Sequence, residues 1–201
     1  MRRQSHRFAF DPVAVGRSEC EAWVGYYRRD WPRMLGGLLG MVRYGFALGQ
    51  FRNLKAAWHV LRGCQAWAPN PDNDPEAARR NMARFFRMAN RAGRLRTDPQ
   101  LAAELEVAWW RVHRAEQHDA QVTHDDIVKA MVSFYSFVYQ AEPADVRRAA
   151  ELRVQAMAIS DAWVAAGCNL DDPRLAEERL ALVASYVALH DASDHSELST
   201  D

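Results

Sequence analysis

Residues 101–119 read LAAELEVAWWRVHRAEQHD, and this stretch decides the fold. At about 100° per residue, Leu101, Leu105, Ala108, Trp109 and Val112 share one arc, the period of a helix and not of a strand. Glu106 and His113 stand seven residues apart, two turns along the edge of that arc, and Glu116 falls back inside it near the helix end. Arg111, Arg114 and His118 point the other way. One helix therefore carries both apolar bulk and a line of polar side chains towards the interior.

Downstream the same period continues. Thr123 with Asp126 opens a helix as a capping box. Between Ile127 and Gln140 nearly every position is apolar or aromatic, in two stripes: Ile127, Met131, Phe134, Val138 and Val128, Val132, Tyr135, Tyr139. Apolar on two sides, this helix is expected to run through the middle of the bundle. Glu142-Pro143 starts another, ending at Ala166 before Gly167. Its inward face holds Val146, Ala150, Met157 and Val164, and by the same count Arg153 and Ser160. Asp172-Pro173 starts the last, with Leu175, Leu182, Val183, Tyr186 and Leu189 inward, and Asp191–Asp201 reads as a flexible polar tail. His190, Asp191, Asp194 and His195 could chelate a metal, but a frayed tail is the simpler account.

Upstream, Thr97 or Asp98 caps the central helix, with Pro99 at its first position. The helix Pro75–Arg94 is two-faced: Ala78, Met82, Phe85, Phe86 and Ala89 against Arg80, Arg84, Arg87, Arg91 and Arg94. Residues 68–75, APNPDNDP, are the clearest breaker, and Asp72 and Asp74 lack the alternation of a calcium loop. Met34 to Trp67 is helical, in one piece or two, with Gly36/Gly40 and Gly45/Gly49 spaced for close packing. Its first part, Met34–Phe51, is long enough to be weighed as a membrane span, but Arg43 near its middle costs about 2.5–3.5 kcal/mol on insertion scales. A core helix is expected there, and no transmembrane segment. Asp11-Pro12 starts the first helix, unless Ser18 and Glu21 cap a later one, and Arg2–Phe10 is a loose arm. No repeat and no strand pattern is visible. The fold expected is all-α: one compact bundle of about seven mostly antiparallel helices over residues 1–190.

The 201 residues suit one domain, with 49% hydrophobic and 26% charged residues and seven Trp to make the core aromatic. Net charge is zero but unevenly spread: residues 1–100 carry +10 and residues 101–201 carry −10. The halves either cancel against each other or leave a positive face for an anionic partner. Three cysteines without a CxxC, and no apolar run after Met1–Arg7, point to a reducing cytoplasm.

The chain has no Glu-x-x-His, which argues against a four-helix di-iron site, and no Walker, GxSxG or HExxH motif. What remains is Glu106, His113, Glu116, Arg153 and Ser160 on otherwise apolar arcs. Burying unpaired charge costs several kcal/mol, so these groups should meet or line a wet cavity. The arrangement expected pairs Arg153 with Glu106 or Glu116, with His113 nearby. One outcome is an internal network that only fixes helix register. The other is a pocket for a small apolar, aromatic or anionic ligand, walled by Trp109, Trp110, Tyr135 and Trp163. In it His113 is acid or base, Glu106 orients it, and Arg153 clamps an anionic group. The sequence names no cofactor. Two further readings stand beside the pocket: the Arg80–Arg94 face binds an acidic protein or nucleic acid, or the chain self-associates through its glycines without catalysis.

Overall fold

The chain folds into helices joined by short loops: α1 Pro12–Tyr27, α2 Trp31–Phe46, α3 Gln50–Trp67, α4 Pro75–Arg91, α5 Pro99–Glu116, α6 His124–Tyr139, α7 Pro143–Ala165 and α8 Arg174–Leu198. The computed structural model describes residues 10–198, with side chains up to 193. The arm expected over Arg2–Phe10 lies outside these except for Phe10, and the metal-chelating set at the C-terminus lies partly outside them. Phe10 is buried, its ring edge-on to Tyr186 and His190. The described residues contain eight helices and no strand, one helix more than the count read from the sequence.

The starts follow the side-chain signals. Asp11, Asp30, Asp74 and Asp98 each accept from a backbone N–H of the first turn, and each is followed by Pro within the first two positions. Thr123 and Asp126 form the capping box of α6. Pro12 begins α1, so Ser18 and Glu21 cap no later helix. Helix α8 runs on to Leu198, through most of the segment read as a tail.

Each helix packs chiefly on its neighbours in the chain, and α8 returns to α1, so the helices close into a ring. This corrects the expectation for α6, which packs on α5 and α7 as one stave of the ring and does not run down its middle. Its second apolar stripe is not covered throughout: Val132 and Tyr139 are only half-buried. The tightest seam, α1 on α2, needs glycine at Gly25 and Gly37, which spacing did not single out, and at Gly40, which it did and where a Cβ would run into the Ser18 side chain. A Cβ at Gly37 would stand 2.5 Å from the Ala22 backbone nitrogen, whereas one at Gly36 would meet nothing. Among the described residues no helix is long and apolar enough to cross a membrane.

Candidate functional site

A ring of helices has no central rod, so its axis is filled by side chains or left hollow. Here a cavity of about 370 Å³ remains, and all eight helices contribute to its wall. The wall is mostly apolar, with Met34, Leu38, Phe85, Phe86 and Phe134 among its residues. Exposed Asn70, Gln117 and His118 also line it, which marks where it opens to solvent.

At the buried end lies an ion pair that crosses from α1 to α7. Both terminal nitrogens of Arg153 donate to Glu19, at 2.6 Å and 2.5 Å, and one also donates to the Tyr186 hydroxyl at 3.1 Å. The guanidinium lies over the rings of Trp23, Trp109 and Tyr186, 5.4–5.8 Å from their centroids. Arg153 thus pairs with Glu19 and not with Glu106 or Glu116, and the clamp foreseen for a ligand anion is already engaged. Its Nε–H alone is left without a partner.

Glu106 projects into the cavity from α5 and accepts from the Trp110 indole N–H at 3.1 Å. Removal from bulk water raises its pKa to about 7, against the pull of Arg153 and the Trp110 hydrogen bond and with the push of Glu19. By surface area Glu106 is only half-buried, because what it touches is the cavity. Two more donors on this wall have no partner: the Trp109 indole Nε1–H and the Tyr135 hydroxyl. Trp109 lies beside Glu106 without meeting it in hydrogen-bond geometry, and Ser185 near Tyr135 donates instead to the Ala149 carbonyl.

Nearer the opening, His113 Nε2 lies 2.9 Å from Asp161 Oδ2, and Gln117 donates to the other carboxylate oxygen at 2.8 Å. Asp161 on α7, not Glu106, orients the imidazole. The other ring nitrogen, Nδ1, has no protein partner among the described residues. Of the residues singled out from sequence, Glu106, Trp109, Trp110, His113, Tyr135 and Arg153 line the cavity. Glu116 does not: it faces His124 Nδ1 at 3.2 Å. Trp163 is fully buried elsewhere, against Val24 and Leu175, and donates to the Asn169 carbonyl at 2.7 Å. Ser160 is buried beside Glu178, outside the cavity wall.

The arginine row of α4 is exposed. Arg80 reaches Asp74 of its own N-cap at 3.9 Å, while Arg84, Arg87, Arg91 and Arg94 make no ion pair with any described residue. The acidic half of the chain therefore does not neutralise them by contact. Among the described residues no three His, Cys, Asp or Glu side chains are grouped to hold a metal ion.

Comparison with known proteins adds no relative: no family model, no curated protein and no solved structure matches the chain.

Sequence reasoning missed Glu19, Asp161 and Glu178. The signal was present. Val15, Glu19 and Ala22 are spaced as one helical stripe, as are Val154, Met157 and Asp161, and Leu175, Glu178 and Leu182.

Proposed function

We propose that the protein binds a small apolar or aromatic molecule bearing a hydrogen-bond acceptor, held inside the helical ring. The observation that carries this reading is the set of three buried donors without partners, Trp109 Nε1–H, Tyr135 O–H and Arg153 Nε–H, all on side chains that line one apolar cavity. A buried donor left unmade costs about 1–3 kcal/mol, so a ligand acceptor that reaches several of them is held in place. A carbonyl or carboxyl on an apolar body supplies the acceptor they lack. The volume sits at the small end of ligand pockets, which span about 300–1,000 Å³.

Specificity follows from charge. The Glu19–Arg153 pair is neutral overall, and the Glu106 carboxyl is half-protonated near neutral pH. The site accepts a neutral carbonyl compound at any pH and a carboxylate best when Glu106 holds its proton.

A second reading, acid–base turnover of the bound molecule, rests on the His113–Asp161 pair, whose imidazole lines the same cavity. The His113 Nδ1 lone pair is the base it would use.

A thermal-shift screen of small aromatic and aliphatic compounds, with and without a carbonyl or carboxyl group, tests the binding reading. Acceptor-bearing compounds should raise the melting temperature of the wild type and do so less for Tyr135→Phe. Equal shifts in both proteins would remove the basis of the proposal. Turnover predicts that His113→Ala keeps binding and loses conversion of the ligand.

A further inference from the structure

Helix α3 has a side that the ring does not use. Asn53, Ala56, Ala57, Leu61, Gly63 and Trp67 face inward. On the opposite side Phe51 is 90% exposed, Leu54 50% and Trp58 49%. Spaced by three and four residues, they form one stripe along the helix. A single exposed apolar side chain is ordinary, but three large ones in a row mark an interaction surface.

Cations frame this stripe. Arg52, Lys55 and Arg62 are exposed on α3 itself. Helix α4 packs alongside, and His59 feels the charge of both Lys55 and Arg84. The α3 cations and the unpaired Arg84, Arg87 and Arg91 of α4 thus belong to one surface. Carboxylates are missing from it: residues 31–71 contain no Asp or Glu, and the one acid of α4, Glu76, pairs with Arg79.

We propose that this α3–α4 face docks the protein on an anionic lipid bilayer, with Phe51, Leu54 and Trp58 entering the interface and the arginines meeting headgroup phosphates. An interfacial helix needs an apolar row, a flanking basic row and an aromatic residue at headgroup depth, and α3 with α4 supplies all three. Charge complementarity favours this occupant twice. The basic face is drawn to anionic headgroups, while the acidic second half of the chain is repelled by them, which fixes the orientation. A nucleic-acid duplex would satisfy the arginines but offers no apolar depth to Phe51 and Leu54. The stripe is separate from the cavity wall, so this inference stands whether or not the cavity binds a ligand.

The test is sedimentation of the full chain with sucrose-loaded vesicles, of phosphatidylcholine alone or with about 30 mol% phosphatidylserine. Binding to the anionic vesicles should be roughly tenfold tighter or more, and should weaken as salt is raised. The double variant Phe51→Ser with Trp58→Ser changes only exposed side chains. Its far-UV circular dichroism and unfolding midpoint should match the wild type, while vesicle affinity falls roughly tenfold. Brominated acyl chains should quench tryptophan fluorescence in the wild type and less in Trp58→Phe. Equal binding to both vesicle types, or full binding by the folded double variant, overturns the proposal. Tighter, salt-sensitive binding to duplex DNA than to the anionic vesicles would overturn it too, and would assign the face to nucleic acid.

Discussion

Glu106→Gln should make the protein more stable at pH 8 and leave it unchanged at pH 4.5. The native carboxyl has its pKa raised from 4.5 to about 7. A raised carboxylate pKa means that the folded state holds the proton more tightly than the unfolded state. The penalty for ionisation is therefore absent below about pH 4.5, grows as pH rises, and is complete above about pH 7. The shift converts to roughly 3 kcal/mol as an upper bound. Glu106 is only half-buried by surface area, which screens part of it, so a gain of about 1–2 kcal/mol at pH 8 is the working figure. The amide keeps the shape of the carboxyl and can still accept from the Trp110 indole. Guanidinium unfolding followed by tryptophan fluorescence, at a series of pH values, reads the difference. Glu178 has a pKa raised to about 7 as well, chiefly by burial, and works in the same direction. The slope remaining in Glu106→Gln should therefore become shallower in the double variant with Glu178→Gln. Parallel pH profiles for wild type and Glu106→Gln would refute the reasoning, because they would mean that the Glu106 carboxyl meets bulk water in the folded state.

Three other outcomes follow from the same structure. Glu19→Gln leaves the Arg153 charge buried and uncompensated and should cost about 3–5 kcal/mol, while replacing both residues by Met should recover most of that in the same unfolding assay. Adjacent glycines of α2 should respond oppositely: Gly37→Ala drives a methyl into the Ala22 backbone and should cost about 1–3 kcal/mol, whereas Gly36→Ala meets nothing and should gain about 0.5–1 kcal/mol, by thermal melting. The affinity of a carboxylate ligand should fall as pH rises through about 7 while that of its neutral amide analogue holds, since only the former meets the charge appearing on Glu106 in a calorimetric titration.

The helices were legible because their signals are local. Asp-Pro starts, the Thr123–Asp126 box and the apolar stripes each depend on residues within a turn or two. The closed ring was not legible. Two apolar stripes on α6 are required equally of a central rod and of a stave with neighbours on either side, and only the contacts decide. The site divides the same way. That Arg153 and Glu106 face inward follows from period, and both do line the cavity. Their partners lie on other helices: Glu19 is 134 residues from Arg153, and Asp161 is 48 from His113. Helical period places a residue on a face but does not say which helix stands opposite. The stripe Phe51, Leu54, Trp58 misled for a related reason. Leu54, Ala57, Trp58, Leu61 and Cys64 line up at helical period, yet Leu54 and Trp58 stay exposed while Ala56, Ala57, Leu61 and Gly63 turn inward.

The central claim is that the hollow of the ring is a binding site read by its unpaired donors. It is tested most directly by calorimetric titration of the best acceptor-bearing compound into three proteins: the wild type, the double variant Trp109→Phe with Tyr135→Phe, and Leu180→Ala on the outer surface, where Leu180 is 71% exposed. Loss of two hydrogen bonds should weaken binding about tenfold or more in the double variant, with the Leu180 variant matching the wild type. The same affinity in all three would contradict the account.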